Sequence, residues 1–316
     1  MKPIFIFSLP RSGSTLLQRI LATSGQVATV SEPWLLLPFA CTLKADGVKS
    51  QYGHGYAVKA IRDFYQQLPN GRRDYLDELR AFALNLYQKN SPPGSRYFLD
   101  KTPRYHLIVN EIFEIFPEAK FVFLWRNPLA VIASIINSWC KGKWKPQVWQ
   151  LDLYDGSRNL INAYNEHSSQ VHALQYERLV QSPARELKRL CDYLELEYTG
   201  KMIESFQDVS LEGSLGDKTG IREYQVLSDN SLAKWQKTFN NPFRRRWAIR
   251  YLAWLGEEHL HAMGYSLGDL TALVSKKTDL NLDGMFSDLL RSALYPPVNF
   301  LLSRRERKTP PAGHLY

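Results

Sequence analysis

The chain has 316 residues, 44% of them hydrophobic and 22% charged, a composition that excludes a disordered or fibrous protein. The formal net charge of +9 suits phosphate-rich ligands and acidic surfaces without choosing among them. Three widely spaced cysteines (Cys41, Cys140, Cys191) form no CxxC pair, and the seven histidines show no ligand spacing, so neither a disulfide framework nor a metal site is expected.

The opening apolar run, Pro3 to Phe7, is too short for a signal-peptide core, and no stretch reaches membrane-spanning length. A cytoplasmic protein is expected, with residues 3–8 as a buried strand ending near Pro10. The spacing predicts a helix from Ser12–Gly13 to Ala22, then amphipathic helices over 56–68 and 72–90 around Pro69–Asn70–Gly71. A strand follows at Tyr97–Asp100, a helix at 104–116 stopped by Pro117, and a strand at Lys120–Trp125 leading through Pro128 into a helix to about Ser138. Beyond a Trp-rich basic stretch (Trp139 to Trp149) come another helix, a strand at Val171–Tyr176 and a helix over 183–194. After Ser210 the pattern offers a Gly-rich loop at 213–220 and helices near 230–238 and 243–262. Strands alternating with helices imply a central parallel sheet flanked by helices, a P-loop-like α/β sandwich with a helical C-terminal part.

Strand–SLPRSGST–helix at the first βα turn is an anion-cradling pattern. Gly13 allows a close backbone turn, Ser12, Ser14 and Thr15 add hydroxyls, Arg11 adds a guanidinium, and helix N–H groups point at the ligand. The loop lacks the GxxxxGK[ST] lysine of nucleoside triphosphatases, and no downstream strand is expected to end in a magnesium-holding Asp.

This loop resembles the 5′-phosphosulfate loop of sulfotransferases that use 3′-phosphoadenosine-5′-phosphosulfate (PAPS), in the branch similar to tyrosylprotein and bacterial sulfotransferases. Four later segments fit the same family in order. FVFLWRNPLAVIASIINSW (121–139) resembles its 3′-phosphate element, with Arg126 and Ser134 at the binding positions; Ser138 stands where the tyrosylprotein branch adds a basic residue. YFLDKTPRYH (97–106) resembles the element whose lysine, here Lys101, neutralises the leaving oxygen. LQYERLVQSPARELKRLCDYL (174–194) resembles the segment that places a tyrosine, Tyr176, near the nucleotide. DKTGIREYQVLSDNSLAKW (217–235) resembles the nucleotide-covering loop, with Thr219 at a serine position.

TVSEPW (29–34) resembles the segment carrying a catalytic glutamate, which makes Glu32 the expected general base, with His54 and His106 as alternatives. The resemblance implies a catalytic set of Glu32, Lys101 and Arg11, in-line sulfuryl transfer without a metal, and release of 3′-phosphoadenosine-5′-phosphate (PAP). It further implies one domain over 1–316: a PAPS-binding core (1–240) with a helical insert (35–90), and a helical extension (241–316). A small-molecule or carbohydrate acceptor is expected, sulfated on a hydroxyl or amine, with 35–90 and 139–149 as cleft walls and no nucleic-acid partner. A nucleotide-dependent phosphotransferase and a non-catalytic PAP-binding protein are the alternatives. Residues 285–307 combine apolar faces with a basic end, a pattern for peripheral contact with anionic membrane or for a helix packed on its own domain. Oligomeric state is not legible in the sequence.

Overall fold

Alternation within two strands sets both faces of the sheet. β1 (Lys2–Phe7) and β4 (Lys120–Trp125) run parallel with Phe5 opposite Phe121 and Phe7 opposite Phe123. Successive side chains point to opposite faces. One face is therefore aromatic (Phe5, Phe7, Phe98, Phe121, Phe123) and the other aliphatic (Ile4, Ile6, Leu99, Val122, Leu124). On the aromatic face the Phe121 ring stacks on Phe5 at 5.9 Å and on Phe7 at 6.1 Å, offset contacts that add to the area buried.

The computed structural model describes residues 1–48, 50–216, 232–276 and 284–292. β2 (Val27–Thr29), β3 (Tyr97–Asp100) and β5 (Val171–Gln175) complete a five-stranded, all-parallel sheet of order β2-β3-β1-β4-β5. In chain order the helices are α1 (Ser14–Ala22), α2 (Leu36–Ala40), α3 (His54–Tyr65), α4 (Arg72–Lys89), α5 (Val109–Ile115) and α6 (Pro128–Ser138). They continue with α7 (Ser157–His167), α8 (Tyr176–Gln181), α9 (Pro183–Leu194), α10 (Lys201–Glu204), α11 (Pro242–Ala262) and α12 (Leu267–Ser275). Residues of α1, α8, α9 and α10 cover the aliphatic face, and those of α4, α5, α6, α7, α11 and α12 the aromatic one. This is the expected P-loop-like α/β sandwich.

Local chemistry fixes several boundaries. Pro128 opens α6 while the Asn127 carboxamide oxygen accepts from Leu129 N at 2.9 Å, a cap plus a first-turn proline. The helix expected at 104–116 is divided into a 3₁₀ turn, Pro103–Leu107, and α5, because adjacent Tyr105 and His106 both turn inward. The helix expected after the Trp-rich stretch begins as a 3₁₀ turn (Pro146–Trp149) and a π-type turn (Leu151–Gly156) before α7. β5 ends at Gln175, so Tyr176 opens α8. The helix expected near 230–238 is, in its described part, a 3₁₀ turn at Lys234–Phe239, and α11 is kinked at Gly256.

β3 ends where the sequence predicts, in an aspartate. Asp100 lies buried under Tyr87 and Tyr105 in the aromatic layer. Of the C-terminal amphipathic segment, residues 285–292 are helical. Buried Asp288 fastens them to α11 by accepting from Arg244 Nε at 2.7 Å and Asn241 Nδ2 at 3.1 Å, while Phe286, Leu289 and Leu290 are exposed. Residues 293–307 lie outside the described residues. No helix among the described residues is long and apolar enough to cross a membrane.

Candidate active site

All five strands end on the same edge, and each delivers one element of the site there. β1 leads into the Arg11–Thr15 loop, β2 towards Glu32, β3 to Lys101, β4 to Arg126 and β5 to Tyr176. The chain leaves β1 towards β2 and leaves β4 towards β5, so the strand order reverses between β1 and β4. In open α/β sheets, ligands bind at such a reversal, outside the carboxyl ends of the strands.

The loop after β1 is shaped for an anion. Arg11 (φ 65) and Gly13 (φ 92) both have left-handed backbone. No described residue accepts from the N–H groups of Ser12, Gly13, Ser14 or Thr15, which leaves the start of α1 as a set of converging donors. Gly13 is required twice over: its φ disfavours any Cβ, and a Cβ built there would collide with the Tyr176 ring.

Two arginines from separate strands meet behind this loop. Arg126 Nη1 donates to Arg11 O at 2.7 Å, and its guanidinium carbon lies 4.3 Å from the centre of the Tyr176 ring. Arg126 Nε is buried and has no acceptor among the described residues. Arg11 Nε donates to Ser134 Oγ at 3.1 Å and Arg11 Nη2 to Ser138 Oγ at 3.2 Å, with Trp139 beneath the guanidinium. Arg11, Arg126, Ser134 and Tyr176 therefore form one cluster, in which Arg11 is laid along α6.

On the other side of the loop, Lys101 Nζ donates to Glu32 Oε1 at 2.9 Å and to Thr15 Oγ1 at 3.3 Å. Lys101 is 1% exposed and the Glu32 side chain 12%. The second Glu32 oxygen, Oε2, accepts from the Trp34 indole at 3.3 Å. The backbone before Glu32 is held from α1: Gln18 Nε2 donates to Thr29 Oγ1 (2.7 Å), Val30 O (2.6 Å) and Ser31 O (3.2 Å). It is held from above as well, where Ser31 N donates to Glu212 O at 2.8 Å and Ser31 Oγ to Leu215 O.

A cavity of about 230 Å³ opens over these groups. Arg11, Gly13, Ser14, Thr15 and Glu32 line its floor, and Trp34, Trp139 and Trp149, with Pro103, Arg104 and Asp152, its walls. The alternative bases are elsewhere. His54, at the start of α3, pairs through Nε2 with Lys44 O at 2.8 Å. Buried His106 pairs through Nε2 with Asp152 Oδ1 at 3.0 Å. Neither histidine lines the cavity. Thr219 lies outside the described residues.

A family model described as the sulfotransferase family matches residues 3–200. The chain belongs to that family. The chain is 27% identical over 258 residues to nodulation protein NoeE of Sinorhizobium fredii, an alignment covering 73% of this chain and 59% of NoeE. It is 23% identical to a putative protein-tyrosine sulfotransferase of Caenorhabditis briggsae, over 77% of this chain and 84% of that one. Two solved structures share its fold. The sulfotransferase domain from the curacin biosynthetic pathway has a TM-score of 0.53 at 23% identity, covering 78% of this chain and 96% of that one. The sulfotransferase domain of the Synechococcus PCC 7002 olefin synthase has a TM-score of 0.52 at 22% identity, covering 74% and 87%.

Several residues of this site escape sequence reasoning. Gln18 looks like one more polar position on α1, and Trp34 and Asp152 look like ordinary wall residues. The only signal for Gln18 is its spacing of three from Thr15, which returns it to the same side of the helix.

Proposed function

We propose that this sulfotransferase moves a sulfuryl group from PAPS to a hydroxyl or amine of a small-molecule or carbohydrate acceptor and releases PAP. The observation that carries the proposal is the position of Lys101, whose ammonium touches the phosphate loop through Thr15 and the cavity floor through Glu32. A cation so placed serves both halves of a transfer between a bound phosphosulfate and a bound acceptor.

The residues fit the donor's charges. The N–H groups of Ser12, Gly13, Ser14 and Thr15, which have no acceptor among the described residues, and the hydroxyls of Ser12, Ser14 and Thr15 suit the 5′-phosphosulfate. Arg126, whose buried Nε has no partner among the described residues, suits the 3′-phosphate together with Ser134 and Arg11. Tyr176, packed between Gly13 and Arg126, supports both ends. Thr219 is assigned a place in the nucleotide-covering loop on resemblance alone.

In the transfer, Glu32 accepts the acceptor's proton and the acceptor oxygen or nitrogen bonds to sulfur. The bond from sulfur to the bridging phosphate oxygen breaks, and Lys101 neutralises the charge left on that oxygen. Arg11 offsets the remaining negative charge from the α6 side. Three indoles and the Arg104–Asp152 pair (3.1 Å, Nη2 to Oδ2) give the acceptor cavity flat apolar walls with a polar patch, which suits a sugar ring or another small cyclic acceptor.

The test is mass spectrometry of cell extract incubated with the protein and PAPS, searching for compounds that gain one sulfuryl group and for PAP. Product with matching PAP supports the proposal. PAP binding without product would make the chain a binding protein, and magnesium-dependent ATP turnover would make it a phosphotransferase.

A further inference from the structure

Asp100 is a buried group that the transfer above leaves idle. Its Oδ2 accepts from Tyr87 Oη at 2.6 Å and Tyr105 Oη at 2.9 Å, and its Oδ1 accepts from Thr102 Oγ1 at 3.3 Å. Two of these hydroxyls face the chain just after Glu32. Thr102 Oγ1 accepts from Trp34 N at 3.2 Å, and Tyr105 Oη accepts from Leu36 N at 3.1 Å. Tyr87 Oη has no such second contact among the described residues.

A hydroxyl carries one proton. A carboxylate can only accept, so it takes that proton and leaves the oxygen's lone pairs facing the amide on the other side. The orientation of both hydroxyls thus follows from the ionised state of Asp100. What they hold is unusual backbone: Trp34 has φ 55, a left-handed conformation disfavoured for any residue with a Cβ. Such geometry persists only where the surroundings over-determine it.

We infer that Asp100 is a positioning residue for sulfuryl transfer, fixing the Trp34–Leu36 backbone through Thr102 and Tyr105 and so aiming the Trp34 indole at Glu32. Its effect on rate rests on the reading of Glu32 as base; the anchoring does not. Burial pushes the Asp100 carboxyl up to about 6, against the hydrogen bonds of Tyr87, Tyr105 and Thr102 and the charge of Lys101, which are the groups that face it. Protonated Asp100 donates at one oxygen where it had accepted, so one of its three hydroxyls turns; turning Tyr105 or Thr102 loosens an amide, and turning Tyr87 does not.

The experiment compares Tyr105→Phe, Thr102→Val, Asp100→Asn and Tyr87→Phe by kcat, by KM for PAPS and by the ¹⁵N–¹H resonance of the Trp34 indole, assigned with Trp34→Phe. Tyr105→Phe and Thr102→Val lower kcat roughly ten- to hundredfold, the scale of a small misplacement near reacting atoms. They leave KM for PAPS unchanged and shift the indole resonance. Asp100→Asn does the same. Tyr87→Phe loses an equally buried hydrogen bond to the same carboxylate, yet keeps both kcat and the resonance. Equal losses in Tyr87→Phe and Tyr105→Phe, or unchanged kcat in both Thr102→Val and Tyr105→Phe, would overturn the inference. The indole separates the two readings: if Glu32→Gln keeps its rate, the base assignment falls, while the order of indole shifts still decides the anchoring.

Discussion

Lys101 Nζ stands 2.9 Å from Glu32 Oε1, and the two belong to different strand ends that meet only because β2 and β3 are neighbours. Each therefore shapes the other's surroundings, and their variants should differ in kind. Glu32→Gln keeps shape and removes the proton acceptor, so single-turnover rate at saturating PAPS should fall roughly 10²–10⁴-fold, the usual worth of general-base catalysis, with PAP binding retained. Lys101→Ala should also slow the reaction, but its defect should shrink with a donor whose leaving group is better, whereas that of Glu32→Gln should not. A near-normal rate in Glu32→Gln with collapse in His54→Ala or His106→Ala would move the base to a histidine, against the placement of both outside the cavity.

Gly13 and Tyr176 test the loop by their closeness. Gly13→Ala places a Cβ at φ 92 and drives it into the Tyr176 ring. The backbone alone should cost about 1–2 kcal/mol, and the collision adds to it. Tyr176→Ala introduced beside Gly13→Ala removes the collision, so the double variant should be more stable than the sum of the singles by about 0.5–3 kcal/mol in urea melts. Simple additivity would mean that the ring does not confine the glycine.

Arg126 should decide nucleotide preference. PAP should raise the thermal midpoint well above what ATP achieves, because ATP has no 3′-phosphate for the buried guanidinium. Arg126→Ala should remove most of that difference, as truncating a desolvated charge-assisted contact costs about 2–5 kcal/mol. Arg126→Lys should restore little of it, since an ammonium lacks the fork that holds Arg11 O and an anion together. Equal stabilisation of the parent by ATP and PAP would remove the 3′-phosphate assignment.

The Asp100 carboxyl gives stability a definite pH dependence. Its folded-state value, about 6, lies above the ordinary 3.8, so the folded chain holds the proton more tightly than the unfolded one. The stabilisation from this group is fully present below about pH 4 and is lost as pH rises through about 6, amounting to something on the order of 3 kcal/mol. Asp100→Asn cannot titrate. Relative to that variant, the parent should therefore gain stability between pH 7 and pH 4.5, measured by denaturant melts at both. A gap that moves the other way on acidification would show that the folded state stabilises the charged form.

The fold was legible because its strands carry strong local patterns: IFIF and FVFL alternate, and Pro10, Pro117 and Pro128 mark where elements stop or start. The anion loop was legible for the same reason, since one short stretch holds its glycine, hydroxyls and arginine. What a sequence hides is the lateral contact. Gln18 reaches Thr29, Val30 and Ser31, and Asp100 reaches the backbone beside Glu32 through two hydroxyls, only once β2 lies next to β3 and α1 covers them. Asp100 stays unremarkable as the last residue of a short strand, because nothing local shows that two phenols occupy it. His106 reads as an alternative base from its residue type, but the 3₁₀ turn directs it to Asp152, beneath the cavity wall.

The placement of one functional group at the end of every strand has a consequence for how the protein is made. The anion loop is complete by residue 15, but Lys101 arrives with β3, Arg126 with β4 and the Tyr176 ring only after β5. Parallel neighbours are joined by long crossovers, so none of these groups can meet before the intervening helices have emerged and packed. During synthesis, a ribosome-bound chain that ends before Tyr176 carries the loop and Arg126 but lacks the ring that packs between them. Nucleotide capture is thus a property of the finished sheet, and its onset along a series of stalled nascent chains would mark the moment when β5 takes its place.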